Sequence, residues 1–258
     1  AVTVAAVVRG RAALVAAQPV PLPDTTDVFL RIGSPTAQVV VEVHVDLLCP
    51  DCAAAEPVLA QVTAAYTPSQ LALVYHLFPL PYHTWAFTAA LGGNIIRDLA
   101  GTDSAVAAWK DYMFAGGQQN FWASAVMNYT NTQVNALFAT TAANVSGVSA
   151  AAFLNELNND ANLNMDTRIS WKYGCQRTVT GTPSFWVNGT LTTCSRLCWQ
   201  VLAKLPPPSH THTRAGLPVA ADSTWTLADW QALLDPLFSN SSKVQQRAHL
   251  LKHHRVAA

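Results

Sequence analysis

The sequence predicts an α/β domain interrupted by an all-helical insertion, and three observations carry that prediction. A β-branched run, Val39-Val40-Val41-Glu42-Val43-His44-Val45, leads into an Ala-rich stretch with helical character. From His83 to about Tyr173 nothing reads as a strand; Ala-rich segments with spaced Trp and Phe are punctuated by Gly92-Gly93, Gly101, Gly116-Gly117 and Gly147. Beyond them, Ser184 to Val187, Asn188-Gly189 and Thr190 to Thr193 read as a β-hairpin, because Asn-Gly suits the positive φ angles of a two-residue turn.

Taken in order, residues 1–35 read as an N-terminal leader. Arg9 and Arg11 ahead of the run Ala12 to Ala17 are compatible with the tail of a secretory signal, and equally with an Ala/Val-rich leader ending at Pro19-Val20-Pro21-Leu22-Pro23. Residues 38–46 alternate apolar and polar side chains as a core strand. A helix follows over 50–66, with Pro50 tolerated in its first turn and Pro57 expected to kink it. Leu71 to Phe78 reads as a second buried strand, ended by Pro79-Leu80-Pro81. The aromatics of 83–173 (Trp85, Trp109, Phe121, Phe138 and Phe153 among them) read as core packing between several helices. After the hairpin, 204–222 is a Pro- and His-containing loop insertion, and Thr226-x-x-Asp229 starts a last helix with Trp230, Leu233, Leu234 and Leu237 on one face. The expected division is one domain formed by 36–82 and 174–240, a helical insertion over 83–173, and a basic tail over 241–258.

Half of the 258 residues are hydrophobic and 12% are charged, which excludes a disordered chain. Fifteen basic and fifteen acidic residues cancel, so no net field recruits nucleic acid or an anionic membrane. The longest early apolar run is too short to span a bilayer, and no transmembrane segment is expected. Four sequons, at Asn128, Asn144, Asn188 and Asn240, together with five cysteines, point to the secretory pathway, in the ER lumen or outside the cell.

The chemistry is concentrated in Cys49-Pro50-Asp51-Cys52, between the first strand and the first helix. Two thiols three positions apart in a first helical turn can close a small disulfide. The N-terminal one also meets unpaired backbone N–H groups and the positive end of the helix dipole, which stabilise a thiolate. Thiolates attack disulfides, so a strand, C-x-x-C and a helix suit thiol–disulfide exchange. Cys52, further into the helix, is expected to be the more shielded thiol.

Far downstream lies Val179-Thr180-Gly181-Thr182-Pro183-Ser184-Phe185-Trp186-Val187-Asn188-Gly189. With the C-P-x-C motif, this segment resembles the thioredoxin superfamily, and specifically its DsbA-like branch, a thioredoxin fold with an all-helical insertion. Phe78-Pro79-Leu80-Pro81-Tyr82-His83 with Ala86-Phe87 resembles eukaryotic members of that branch. The resemblance covers roughly residues 36–240. It implies a cis Thr182–Pro183 bond facing the disulfide, a peptide substrate held by Thr182 and Pro183, Cys49 as nucleophile and Cys52 as resolving thiol. It also implies protein thiols or disulfides and a redox partner as the molecules met, with no cofactor and no metal.

Asp51 departs from the family, whose DsbA-type oxidases place His there. A carboxylate is expected to raise the Cys49 pKa relative to a C-P-H-C equivalent and to weaken the oxidant; alternatively Asp51 is an ordinary first-turn acid. Pro50 completes the motif as a modulating residue. Glu42, His44 and Asp46 share one side of the first strand, and the family often has a buried carboxylate below the disulfide. Its usual offset from the first cysteine differs by one residue from that of Glu42, so Glu42 is either that proton acceptor or part of a structural polar row. A two-residue turn sets Val187 opposite Thr190 and Cys194 opposite Pro183. Cys175, read as lying just past a helix-ending Gly174, is then a candidate for a bridge to Cys194 or Cys198, or a third thiol that accepts the disulfide. Three rivals remain: a redox-inert binding module, a zinc site formed by Cys49, Cys52, Cys194 and Cys198, and a kappa-type glutathione transferase, which tends to have Ser in place of Cys49.

Overall fold

Alternation of Val39, Val41, Val43 and Val45 with Glu42 and His44 gives a central strand with two different faces. In the computed structural model, which describes residues 28–188, 190–192 and 222–238, that strand is β2 (Val39–Val45). It belongs to a five-stranded sheet with β1 (Leu30–Ile32), β3 (Leu71–Leu77), β4 (Ser184–Val187) and β5 (Thr190–Thr192), in the order β1-β3-β2-β4-β5. β2 runs parallel to β3, joined by the helix α1 (Pro50–Ala65), while β1 pairs with β3, β4 with β2 and β5 with β4, all antiparallel. The hairpin register is Val187 opposite Thr190. Helix α1 continues unbroken through Pro57.

Between β3 and β4 the chain forms α2 (Ala86–Ala100), α3 (Asp103–Phe114), a 3-10 turn (Gly117–Phe121), α4 (Asn131–Ser146), α5 (Ala150–Asn159) and α6 (Ala161–Gln176). Their starts follow from side-chain caps: Thr102, Ser149 and Asp160 each accept from a first-turn N–H, and Thr130 with Gln133 forms a capping box. Trp109, Phe121, Phe138 and Phe153 are buried together, with Phe121 stacked on Phe138 at 4.0 Å. These helices are the all-helical insertion of a DsbA-like thioredoxin fold. A last helix, α7, spans 227–238; Thr226 and Asp229 cap each other, and Trp230 meets Phe185 edge-on at 5.1 Å beneath β4. No helix of the described residues is long and apolar enough to cross a membrane.

Two sequence expectations change. Leu30–Ile32 fall within the segment 1–35 read as a leader, yet Leu30 pairs with Tyr75 and the Phe29 side chain is buried in the core. Three residues are too few for period-two alternation to announce a strand. Gly174 does not end its helix; α6 runs on to Gln176, so Cys175 sits within the last turn. Gly174 serves close packing instead: a Cβ there would stand 2.4 Å from Phe78 Cδ2 and 3.2 Å from His44 Cδ2. The expected insertion over 204–222 (apart from residue 222) and the tail over 241–258 lie outside the described residues.

Gly174→Val forces α6 away from the sheet, and the expected loss in unfolding free energy by urea titration is about 1–3 kcal/mol; a variant as stable as the parent contradicts this packing.

Candidate active site

The site begins at the end of β2. Asp46 turns the chain there: its Oδ1 accepts from Leu48 N–H at 2.8 Å, an Asx-type turn, and its backbone carbonyl accepts from Cys49 N–H at 3.0 Å. Asp46 Oδ2 also accepts from Leu80 N–H at 2.9 Å and lies 2.7 Å from His83 Nδ1. Burial raises the Asp46 carboxyl pKa, and the hydrogen bonds from Leu48, Leu80 and His83 only partly offset that rise. From the insertion, Trp122 Nε1–H donates to the Leu48 carbonyl at 3.1 Å. The loop that delivers the first cysteine is thus held from the strand, from the segment after β3 and from the insertion.

Cys49 is the N-cap of α1 and Pro50 opens its first turn. Both thiols are buried, Cys49 at 4% and Cys52 at 2% relative exposure. The Cys49 thiol donates to the Thr182 carbonyl at 3.4 Å across 133 positions of sequence, and the Thr182–Pro183 peptide bond is cis. Pairing of His44 with Ser184 positions that loop beside α1.

The two thiols have opposite electrostatics. A hydrogen bond from Cys52 is the largest influence on Cys49; burial opposes it, while Thr182 and the backbone N–H groups of Cys52 and Asp51 add to it. The outcome is a Cys49 pKa lowered to about 6. Cys52 is pushed well above the ordinary thiol range, first by burial and then by its neighbour Cys49. Thr182 Oγ1 is buried without a hydrogen-bond partner among the described residues, a hydroxyl placed to serve a charged sulfur. Asp51 is exposed, and its backbone N–H is what enters the balance at Cys49.

Glu42 does not lie on the side of the sheet that carries the thiols. Val41, Val43 and Val45 pack in one cluster with Cys49 and Cys52, so Glu42 faces α6 across the sheet. There it accepts from Tyr173 Oη and Arg177 Nη2, each at 3.2 Å, and lies 3.2 Å from His76 Nε2. Burial alone would raise its pKa, but His76, Arg177 and Tyr173 outweigh burial and lower it. Its neighbour His44 is fully buried, stacked on His76 at 4.8 Å, and burial with the nearby His76 and Arg177 pushes its pKa down to about 2. The polar-row alternative describes this arrangement; a one-residue offset in a strand exchanges faces.

The carboxylate on the thiol side is Glu56, one helical turn beyond Cys52. It pairs with the buried Lys110 of α3 and accepts from Tyr75 Oη at 3.0 and 3.1 Å. Burial raises its pKa against the opposing influence of Lys110. This network was missed from sequence, although Glu56 at i+4 from Cys52 and Lys110 beside Trp109 on a buried helix face were legible signals. Cys175 is exposed; Cys194, Cys198 and Asn240 lie outside the described residues. Asn128 and Asn144 are exposed, and Asn188, also exposed, uses its Oδ1 to accept from Val40 N–H at 3.0 Å. Among the described residues no group of three or more His, Cys, Asp or Glu is arranged to hold a metal.

A family model described as thioredoxin matches residues 25–196, and the chain belongs to that family. No curated protein matches. Solved structures resemble the whole architecture at low identity. One is a Pseudomonas syringae protein provisionally described as a protein-disulfide isomerase, 15% identical, with a TM-score of 0.59 over 81% of this chain and 99% of that one. Another is α-DsbA1 of Wolbachia pipientis, 16% identical, with a TM-score of 0.58 over 87% and 96%. The catalytic domain of Proteus mirabilis ScsC is 16% identical, with a TM-score of 0.52 over 84% and 93%. These three are bacterial, and the closer resemblance to eukaryotic members has no counterpart among them.

Two outcomes follow. The alkylation rate of Cys49 in the reduced protein should rise with pH through a midpoint near 6, because a lowered pKa leaves the thiolate populated above that value; a midpoint in the ordinary range near 8.5 contradicts it. Lys110→Met leaves the Glu56 carboxylate buried without its ion-pair partner, at an expected cost of about 3–5 kcal/mol in unfolding free energy, which adding Glu56→Gln largely restores. Loss under 1 kcal/mol would show the pair to be immaterial.

Proposed function

We propose that the protein is a thiol–disulfide oxidoreductase that exchanges the Cys49–Cys52 dithiol or disulfide with protein substrates. The observation that carries this reading is the meeting of Cys49 with Thr182 at 3.4 Å, ahead of Pro183, with the two thiols shifted in opposite directions.

In the reducing direction the Cys49 thiolate attacks a substrate disulfide. A Cys49–substrate S–S bond forms, the substrate S–S bond breaks, and the departing sulfur takes a proton. Cys52 then gives up its proton and attacks the Cys49 sulfur. The Cys49–Cys52 bond forms as the second substrate thiolate leaves, so two electrons have passed to the substrate. Oxidation is the same path reversed. The high pKa of Cys52 keeps it protonated until the mixed disulfide forms, and Tyr75, Glu56 and Lys110 form a polar network on its side of the sheet. Thr182 and Pro183 offer backbone carbonyl and shape to an extended substrate strand. Pro50 fixes the first turn of α1, and Asp51 modulates the potential.

A Cys49 pKa lowered only to about 6, against roughly 3.5 in DsbA, supports a weaker oxidant than DsbA. The exposed sequons at Asn128 and Asn144 and the redox chemistry favour the secretory pathway, where disulfides persist.

Reduction of insulin by the protein with dithiothreitol should exceed the Cys49→Ser control by about tenfold or more, and Asp51→His should shift the potential towards oxidising values by about 30 mV or more. No activity above the control would favour a redox-inert binding module, and a wild-type potential near −120 mV, roughly that of DsbA, would remove the weaker-oxidant reading.

A further inference from the structure

On the face of the sheet away from the thiols, β2, β3, β4 and α6 close around two stacked histidines. His44 has no exposed surface and His76 has 1%, with their rings 4.8 Å apart. Tyr173 of α6 stacks on His44 at 5.8 Å, and Trp186 of β4 meets it edge-on at 4.5 Å. Neither ring nitrogen of His44 has a hydrogen-bond partner among the described residues. We propose that His44 is an acid-sensitive clamp. When neutral it lets α6 close on β2; when it takes up a proton from solvent, the C-terminal end of α6 comes off the sheet and loosens the chain that carries Thr182 and Pro183 to Cys49. The inference rests on the oxidoreductase reading and adds a regulation of that same site.

Buried polar groups are normally hydrogen-bonded, because an unpaired one loses its water without compensation. A Phe ring would fill the same place without that cost, so what the imidazole adds is a proton-binding site. A proton there finds no free counter-charge. Glu42, two positions earlier on β2, already accepts from Tyr173 and Arg177 and lies 3.2 Å from His76. Asp46, two positions later, accepts from Leu48 and Leu80 and lies 2.7 Å from His83. α6 contributes a cation instead, Arg177, held over the rings of Tyr173 and Trp186 at 5.3 and 5.0 Å. β3 contributes His76, and β4 presents Ser184 and Trp186, neither of them ionisable. His76 and Arg177 thus add to burial, the largest influence, in lowering the His44 pKa to about 2. The helix leaves no space over the ring, since a Cβ on Gly174 would stand 3.2 Å from His44 Cδ2. Hydrating a charged His44 therefore means moving α6, and a helix end deprived of its packing frays.

That helix end leads straight into the active-site loop. Val179 N–H donates to the Gly174 carbonyl at 3.0 Å, and Val179 packs with Phe78, Leu80 and Trp186. His44 itself pairs with Ser184, next to Pro183. With a His44 pKa near the ordinary 6.5 once released and about 2 when enclosed, the released form binds the extra proton below pH 6.5. Acid therefore favours release, by up to about tenfold for each pH unit.

The test is amide hydrogen exchange of the full chain at pH 7 and pH 5, with His44→Phe and His44→Gln as variants lacking the titrating ring. Insulin reduction at pH 7 is measured in parallel. After correction for intrinsic rates, protection at Tyr173, Gly174 and Val179 should be about tenfold or more below that of β3, because α6 opens ahead of global unfolding. Between pH 7 and pH 5 that protection should fall about twentyfold more in the parent than in either variant. The response is a ratio within each protein, so a general loss of stability from one substitution cancels. Equal pH responses in parent and variants, or α6 amides as protected as those of β3, overturn the clamp. Insulin reduction no faster than with Cys49→Ser, alongside a His44-dependent response, would instead remove the oxidoreductase reading and leave the clamp on α6 standing.

Discussion

Antiparallel pairing of β2 with β4 is the constraint on which the rest depends. It puts Ser184 opposite His44, and so brings Thr182 and Pro183 to the strand end from which Cys49 is launched. Between the two strands the chain makes the entire helical insertion, and its return has to be anchored before a four-residue strand can hold register. Glu42 supplies that anchor. By accepting from Tyr173 and Arg177 it fastens the C-terminal end of α6 to the middle of β2, and Gly174 lets the helix lie directly on Phe78 and His44. A residue on the face of the sheet opposite the thiols thus ties α6 to the strand that leads to Cys49.

The same economy appears at the thiols. One short turn of helix gives Cys49 backbone N–H groups and a neighbouring thiol as donor, and gives Cys52 burial without equivalent compensation. A thiol with a lowered pKa and a partner with a raised one emerge from three positions of sequence. Asp46 connects this pair to its surroundings, since one carboxylate turns the loop before Cys49 and holds Leu80 and His83 of the segment after β3. The loop that delivers Cys49 and the segment after β3 thus share one buried side chain.

Much of this was legible in advance because it is local. Period-two alternation announced β2, the Pro- and Ala-rich start announced α1, Asn188-Gly189 set the hairpin with Val187 opposite Thr190, and the glycines punctuating 83–173 marked an insertion without strands. What stayed hidden depends on partners far apart in sequence or on elements too short to have a pattern. β1 shows no alternation in three residues. Glu56 meets Lys110 across 54 positions, and only the folded chain brings α3 against α1. Gly174 reads as a helix stop when its meaning is close contact with Phe78, 96 positions earlier. Glu42 stood between two readings in sequence, proton acceptor or polar row, and the pleat of the strand puts it on the face opposite the thiols.

The central claim is that Cys49 is the attacking sulfur and Cys52 the one that resolves. Cys52→Ser removes the second step and should trap the first. Incubated with a peptide disulfide and digested without reduction, this variant should yield one peptide adduct per chain, carried by Cys49, as read by mass spectrometry. Adducts confined to the exposed Cys175, with Cys49 unmodified, would contradict the account.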